Sequence, residues 1–331
     1  WAAPFSMPVD AVKRAGPSEA AASVPVQADV AETAHVSVRP TWRPHPEGRW
    51  SLAGAQAKIA LLYDRSADRW GIPSGATPTT HIVKPAIGGL DDFDINEHLC
   101  LAAARRAGLI AATTSIRTFG RERALVVDRY DRIIDDSGAV VRVHQEDLCQ
   151  ALGVHPDRKY EVDGGPGAEQ LGRLIREVAG ERDVARFFDT LVYNWLVLAT
   201  DGHAKNFSIR LHAAGAYTLT PLYDVLSAWP IIGHGKNQLA WKNARLAMAV
   251  SGKNRHYHLS NVMRRHFNVT AARSGWGDNA EDIIGELLAK VDGAIEAVAQ
   301  QLPPGFPEDV ASAIFEGLRT QARRLQEQPA A

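Results

Sequence analysis

The spacing of apolar positions divides the chain into a first part with the short period of β-strands and a second part with the longer period of α-helices. Between residues 50 and 143, apolar residues alternate or run in short blocks bounded by turn residues, which is typical of antiparallel strands. One predicted helix interrupts them, "DDFDINEHLCLAAARRAGL", which has acidic residues at its start and Gly108 at its end. The pattern predicts an α+β, two-lobed fold, with a small β-rich lobe at 50–143 and a larger, mainly helical lobe at 144–331.

Helical periodicity dominates after residue 144. Helices are predicted at "HQEDLCQALGV", "AEQLGRLIREVAG", "DVARFFDTLVYNWLVLA", "EDIIGELLAKVDGAIEAVAQQL" and "EDVASAIFEGLRTQARRLQ". A β-hairpin with its turn at Gly215 is predicted within "NFSIRLHAAGAYTLTPLYD".

Composition adds little to this picture. The chain has 331 residues, 45% of them hydrophobic, and a net charge of -1, so no overall electrostatic field favours nucleic acid. No apolar run is long enough to span a membrane, and Cys100 and Cys149 lie on predicted apolar helix faces, which favours buried, reduced thiols. We therefore expect a cytoplasmic protein without a membrane partner. Residues 17–50 have no sustained period, and the prolines of "RPTWRPHPEGR" within them predict a connector.

Candidate chemistry is concentrated in "LATDGHAKNFSI", at residues 198–209. Asp201 and Asn206 are five residues apart, and a hairpin then leads to Asp224 at a strand end. Phosphoryl transfer needs a carboxylate near the attacking hydroxyl, and an amide and a second carboxylate to hold Mg²⁺. The alternative is that these residues only cap the end of the preceding helix. His203 fits a hydrogen-bonded loop histidine, and Lys205 fits either a solvated charge or a γ-phosphate contact.

The β-rich part supplies a candidate phosphate grip. Lys84 lies inside the apolar strand "THIVKP", where an unpaired ammonium would be costly, and Glu97 on the following helix is the natural partner. A strand Lys paired with a helix Glu is the kinase arrangement for holding the α- and β-phosphates. The small residues of "SLAGAQAK" would let backbone N–H groups approach phosphates, with Lys58 adding charge. The alternative is an exposed edge lysine and a surface glutamate.

Nine motifs in this order resemble the HipA family, the serine/threonine kinase toxins of bacterial HipBA toxin–antitoxin modules. They are "SLAGAQAK", "TPTTHIVKP", "NEHLCLAAARRAGL", "ALVVDRYDR", "QEDLCQALG", "KYEVDGGPG", "ATDGHAKNFS", "LTPLYDVLSA" and "RLAMAV". The resemblance implies a protein-kinase-like fold that uses ATP and Mg²⁺. It also implies that residues 1–49 are a remnant of the family's amino-terminal subdomain, contiguous or not, or a linker.

The resemblance assigns a role to each matching position. Asp201 is similar to the general base, Asn206 and Asp224 to the Mg²⁺ ligands, and Lys84 to the phosphate-gripping lysine. Ser51 is similar to the serine whose autophosphorylation inactivates these kinases. The other positions implied in nucleotide binding are Ala53, Gly54, Ala55, Gln56 and Lys58 in the phosphate loop, Asp128 and Tyr130 in the hinge against the adenine, and His203 and Lys205 beside the base.

Substrate and partners are implied in the same way. The family's substrates are aminoacyl-tRNA synthetases, notably the glutamyl enzyme, whose phosphorylation blocks translation and promotes growth arrest and persistence. Its partner is HipB, a helix-turn-helix antitoxin that carries HipA onto operator DNA. The basic segment 251–267 is consistent with contact to a phosphate backbone, although a solvated helix flank explains it equally well.

Two other functions remain open from the sequence. The first is a kinase-like binding module that acts with its antitoxin as a transcriptional co-repressor. The second is a small-molecule kinase of the aminoglycoside-phosphotransferase type, which uses an Asp and an Asn in the same catalytic roles. The complete set Lys84, Asp201, Asn206 and Asp224 favours catalysis over pure binding, and the early motifs favour a protein substrate.

Overall fold

The computed structural model describes residues 24–25, 56–65, 67–73, 77–86, 92–303 and 305–330. These residues form a β-rich lobe followed by a larger helical lobe, so the predicted α+β, kinase-like fold is confirmed. Among them, no helix is both long enough and apolar enough to cross a membrane.

The β-rich lobe is built on one six-stranded antiparallel sheet. Its spatial order is β1-β3-β2-β4-β6-β5. The strands are β1 (Val24–Pro25), β2 (Ile59–Asp64), β3 (Arg69–Ile72), β4 (His81–Pro85), β5 (Thr114–Phe119) and β6 (Glu122–Asp128). Strand β6 is covered on both faces, because Val126 packs with Leu61 and Val83 on one side while Leu125 and Val127 pack on the other. Strand β4 pairs with β2 on one side and with β6 on the other, so it lies inside the sheet.

The helix predicted in this lobe is present as α1 (Phe93–Arg106). Its start is held by Arg123 of β6, whose guanidinium donates to Asp94 at 2.7 Å and to Asp92 at 2.6 Å. Although α1 lies between strands β4 and β5 of the sheet in the sequence, its buried residues, such as Leu99 and Leu101, share one continuous core with the helical lobe. The boundary at residue 143 stays a prediction.

The helical lobe is packed around one helix whose second half is almost entirely buried. Its helices are α2 (Leu148–Ala151), α3 (Ala168–Ala179), α4 (Glu181–Leu196), α5 (Arg264–Arg273), α6 (Glu281–Ala299) and α7 (Glu308–Gln326). Helix α4 lies at the centre, and the side chains of Phe187, Tyr193 and Trp195 are almost completely buried. The long predicted helices therefore correspond to α3, α4, α6 and α7.

Short strand pairs and a three-stranded sheet lie outside the six-stranded sheet. They are β7 (Arg132–Ile134) with β8 (Val140–Arg142), β9 (His144–Asp147) with β10 (Ser208–Leu211) and β11 (Tyr217–Leu219), and β12 (Arg245–Ser251) with β13 (Arg255–His258). The predicted hairpin is present as β10 and β11, with Gly215 at a positive φ of 76°.

One helix prediction was wrong. The segment "HQEDLCQALGV" forms strand β9 and then only the single helical turn α2. Strand β9 pairs with β10, and the side chain of Asp147 accepts a hydrogen bond from Gln150 N at 3.0 Å, which caps the short helix. Pairing with a distant strand therefore overrides the local helical pattern.

A buried asparagine joins the two lobes. Asn96 of α1 donates through Nδ2 to Ser227 O at 2.8 Å, and its Oδ1 accepts from Ser227 N at 2.7 Å. Ser227 lies three residues after Asp224, so this pair fixes the segment that carries the candidate metal ligand. Backbone hydrogen bonds from Ala112 N to Leu222 O and from Leu222 N to Ile110 O, both at 2.8 Å, support the same segment.

We predict that Asn96→Ala lowers the free energy of unfolding by about 2 to 4 kcal/mol, because it leaves the buried N–H and C=O of Ser227 unpaired. Urea unfolding monitored by circular dichroism measures this change. The exposed Asn237→Ala is the matched control and should change stability by no more than about 0.5 kcal/mol. Equal stabilities for the two variants would contradict the role given to Asn96.

Candidate active site

A buried ion-pair network occupies the junction between the lobes. Lys84 Nζ of β4 lies 2.8 and 2.7 Å from the two carboxylate oxygens of Glu97 on α1, and 3.0 Å from Asp224 Oδ1. Lys84 and Glu97 are only 6% and 2% exposed, whereas 42% of the Asp224 side chain is exposed to the cleft. The predicted pairing of Lys84 with Glu97 is therefore confirmed, and the network also includes Asp224.

Opposite charges in this network favour the charged forms of Lys84 and Asp224, whereas burial raises the pKa of Glu97. Burial alone would lower the pKa of Lys84, but the carboxylates of Glu97 and Asp224 outweigh it and the pKa is raised. For Asp224, burial would raise the pKa, but the ammonium groups of Lys84 and then Lys58 lower it. Lys58 has a lowered pKa, because of burial and because Lys84 is near. Two lysines therefore place positive charge beside an ionised Asp224.

The chain reaches Asp224 through a strained turn. Asp224 has a φ of 58°, in the left-handed region that non-glycine residues rarely adopt. Tyr223, the preceding residue, is anchored through its hydroxyl, which lies 2.7 Å from both Ser208 Oγ and Lys205 O. The turn and its anchor direct the Asp224 carboxylate towards Lys84.

The loop 199–207 contains the polar residues that the sequence places after a buried helix. Helix α4 ends at Leu196, and two residues later the fully buried Leu198 turns the chain with a positive φ of 61°. The loop then caps itself: His203 N donates to Asp201 O at 2.9 Å and to Asn206 Oδ1 at 3.0 Å. Asn206 therefore caps the short turn at 203–206 rather than the end of helix α4, and it also approaches Asp224.

Asn206 and Asp224 are close enough to share a metal ion. Asn206 Nδ2 lies 3.4 Å from Asp224 Oδ2. A carboxylate and an amide oxygen suit Mg²⁺, which takes its other ligands from phosphates and water. The amide now presents its nitrogen to Asp224, because its oxygen accepts from His203 N–H, so ligation requires the amide group to turn. Among the described residues there is no cluster of three or more His, Cys, Asp or Glu that could hold a metal by itself.

Asp201 lies at the open side of the loop, with 61% of its side chain exposed. Its Oδ1 accepts a hydrogen bond from the hydroxyl of Tyr160 at 2.5 Å. His203 is buried beneath it, with Nε2 3.9 Å from Asp201 Oδ2, and burial lowers the pKa of this histidine. Nδ1 of His203 has no hydrogen-bond partner among the described residues. Asp201 is therefore available to a group that enters from solvent.

The remaining predicted nucleotide-binding positions have varied surroundings. Lys205 forms an ion pair with Asp147 at 2.6 Å, so its predicted γ-phosphate contact would have to compete with that carboxylate. Asp128 Oδ1 lies 3.2 Å from His81 Nε2. The Tyr130 carbonyl accepts from Arg210 at 2.7 Å, and burial raises the pKa of the Tyr130 hydroxyl to about 12. Their roles at an adenine hinge stay predictions.

The predicted phosphate loop is only partly described. Gln56 and Lys58 directly precede β2. Ser51, Ala53, Gly54 and Ala55 lie outside the described residues.

In the basic segment 251–267, Arg255 and Arg264 are each paired with an acid, Glu161 at 2.7 Å and Glu281 at 2.6 Å. These two pairs reduce the positive charge that the segment presents.

Sequence reasoning gave no role to the motif "KYEVDGGPG", which supplies two contacts near the site. Tyr160 reaches Asp201, and Glu161 accepts from Ala249 N of β12 at 2.7 Å. The motif's glycines indicate a tight loop, but no local pattern indicates which element that loop contacts.

A further acid, Asp189, lines a cavity of about 140 Å³ together with Asn206, Phe207 and Arg186.

The fold and this arrangement of side chains define a kinase-like class of protein. The family model named HipA-like C-terminal domain matches residues 50–295, and the chain belongs to that family. The resemblance inferred from the motifs is therefore confirmed.

Individual relatives support the same family. The chain is 41% identical over 182 residues to "Putative kinase Y4mE" of Sinorhizobium fredii, covering 54% of this chain and 42% of that protein. It is 34% identical over 192 residues to the serine/threonine-protein kinase toxin HipA of Shewanella oneidensis, covering 54% and 43%. The chain thus spans less than half the length of these two relatives.

A solved structure shares the fold. The Shewanella oneidensis complex of HipA, HipB and operator DNA contains a chain that matches with a TM-score of 0.70 at 23% identity, covering 87% of this chain and 68% of that one.

We predict that Asp189→Asn raises the melting temperature at pH 7.5. Burial raises the pKa of Asp189 to about 6 from its ordinary value of 3.8. The folded protein therefore keeps a proton that the unfolded chain releases, so stability falls as the pH rises from about 4 to 6. An uncharged asparagine removes this loss, and its advantage should disappear towards pH 4. A constant difference at every pH, measured by thermal denaturation, would contradict this explanation.

Proposed function

We propose that the chain is a Mg·ATP-dependent kinase that transfers the γ-phosphate of ATP to a serine or threonine of a protein. The observation that carries the proposal is the buried network in which Lys84 contacts both Glu97 and Asp224, with Asn206 beside it. A purely structural pair of Lys84 with Glu97 would not need the exposed carboxylate of Asp224 and the amide of Asn206 beside it. Asp201 lies on the same loop as Asn206, open to an incoming hydroxyl.

Each residue has a defined task in this proposal. Lys84 and Lys58 attract the phosphates, and Asp224 and Asn206 hold the metal through their oxygens. Asp201 orients the acceptor hydroxyl and takes its proton as that oxygen bonds to the γ-phosphorus and the bond to the bridging oxygen of ADP breaks. Bound Mg²⁺ supplies charge neutralisation on the phosphates.

The finer parts of the proposal rest on the family and its relatives. We infer that the acceptor is a serine of an aminoacyl-tRNA synthetase, such as the glutamyl enzyme, and that this activity makes the protein a toxin. Autophosphorylation at Ser51 would inactivate it. A HipB-type antitoxin is the proposed partner, since a HipA structure of the same fold is a complex with HipB and operator DNA. Co-repression of its own operon through that antitoxin, in the cytoplasm, completes the proposal.

We predict that purified protein gains one phosphoryl group on incubation with Mg·ATP, and that Asp201→Ala and Ser51→Ala each abolish the gain. Asp201→Ala removes the group that orients the hydroxyl, and Ser51→Ala removes the acceptor. Intact-mass spectrometry measures the addition, starting from phosphatase-treated protein.

The two variants separate the parts of the proposal. Transfer by Asp201→Ala at the wild-type rate would overturn the catalytic assignment. Addition to Ser51→Ala with loss in Asp201→Ala would keep the kinase and place self-phosphorylation at another residue.

We predict that Lys84→Met lowers kcat for phosphoryl transfer to glutamyl-tRNA synthetase by about 100-fold or more, because a preorganised charge on the phosphates is lost. The measurement is initial-rate transfer from γ-labelled ATP. Lys290→Met is the control, since Lys290 is half exposed and forms an ion pair with Glu286 on the same helix. Circular dichroism verifies folding of Lys84→Met, and wild-type kcat in a folded variant would argue against the phosphate grip.

A further inference from the structure

The carboxylate of Asp201 is held asymmetrically. Its Oδ1 receives the Tyr160 hydroxyl at 2.5 Å, a short hydrogen bond. Its Oδ2 has Nε2 of His203 at 3.9 Å, which is beyond hydrogen-bond reach. Because an ionised carboxylate can accept hydrogen bonds on both oxygens, Oδ2 remains open to a donor from the cleft.

The loop that carries Tyr160 is fixed at several points. Next to it, Glu161 accepts from Ala249 N and from Arg255, each at 2.7 Å. Gly165 N donates to Tyr160 O at 2.9 Å, and a Cβ at Gly165 would lie 2.0 Å from the Arg158 carbonyl. The loop is therefore packed so closely that it needs glycine, and the position of the tyrosine hydroxyl is set by the surrounding structure.

The tyrosine side chain is supported on its ring as well. It packs edge-to-face against the buried His203, with ring centroids 5.1 Å apart. Burial raises the pKa of Tyr160, and the hydrogen bond to Asp201 raises it further. The phenol therefore stays protonated at neutral pH and acts as the donor, while Asp201 acts as the acceptor.

We propose that Tyr160 is a positioning residue for phosphoryl transfer, which holds Oδ1 of Asp201 so that Oδ2 faces the acceptor hydroxyl. This inference rests on the proposed kinase function and adds to it a residue 41 positions away from the base. Tyr160 acts through Asp201 and touches neither nucleotide nor metal in this scheme. Its hydroxyl should therefore affect kcat and leave nucleotide binding unchanged.

The test is Tyr160→Phe, which removes the hydroxyl and keeps the ring on His203. We expect kcat to fall about tenfold for transfer from γ-labelled ATP to the chain itself and to glutamyl-tRNA synthetase, with unchanged affinity for Mg·ATP and unchanged melting temperature. Tyr63→Phe is the matched control, because the Tyr63 hydroxyl also lies 2.5 Å from a carboxylate oxygen, that of Asp68 in the turn between β2 and β3, and the change should leave kcat unaltered.

A double variant shows whether the hydroxyl works through the carboxylate. If it does, Tyr160→Phe should cause no further loss of the residual transfer rate that γ-labelled ATP detects in an Asp201→Ala background, because the two residues act as one unit. An additional tenfold loss in that background would overturn the inference. A parallel fall in Mg·ATP affinity or melting temperature for Tyr160→Phe would also overturn it, since the role would then be structural.

The remaining outcomes separate this inference from the proposed function. If Asp201→Ala is inactive and Tyr160→Phe is as active as wild type, or more active, the positioning role is wrong and the kinase assignment stands. Higher activity would mean that the tyrosine obstructs the acceptor site. If wild type transfers phosphate to neither acceptor, or Asp201→Ala matches wild type, the proposed function fails and the inference fails with it.

Discussion

A lysine ammonium inside a protein needs counterions, because an uncompensated buried charge costs several kcal/mol. Lys84 has two, and they come from elements far apart in the sequence: Glu97 from α1 and Asp224 from the segment after β11. Satisfying one buried charge therefore fixes the sheet, the helix and the loop relative to one another. The hydrogen bonds between Asn96 and Ser227 hold the same helix and segment without charge. The cleft is thus organised around the buried ammonium group of Lys84.

Most polar side chains of the loop after α4 also have partners, although Nδ1 of the buried His203 has none among the described residues. Asn206 caps the turn through His203 N, Lys205 is neutralised by Asp147, and Asp201 receives Tyr160. Leu198 lies just before this loop, and Asp224 lies after the hairpin that follows it. Both residues have a left-handed backbone conformation. Such conformations cost of order 1 kcal/mol each and persist only where the surrounding structure enforces them. Here the left-handed turn at Asp224 directs its carboxylate towards Lys84.

The parts that the sequence predicted depend on local patterns or on the cost of burying charge. Helix α1, the hairpin at Gly215 and the pairing of Lys84 with Glu97 are of this kind. Strand β9 and the Tyr160 contact were not predictable in this way, because their partners lie far along the chain and local periodicity does not carry such information. The Lys205 pair with Asp147 spans 58 residues and was missed for the same reason. Roles for Asp201, Asn206 and Asp224 stay predictions that rest on the family and on chemistry.

Helix α1 has a mechanical consequence that follows from where its core lies. Its apolar residues pack with the helical lobe, while Lys84 belongs to the sheet. A rotation of the sheet alone, with α1 left in place, would pull the lysine away from Glu97 and Asp224 together. Widening the cleft by that route would separate the Lys84 ammonium from both carboxylates, so its attraction to them opposes the movement. The contacts of Lys84 with Glu97 and Asp224 therefore resist separation of the sheet from α1 and from the segment after β11.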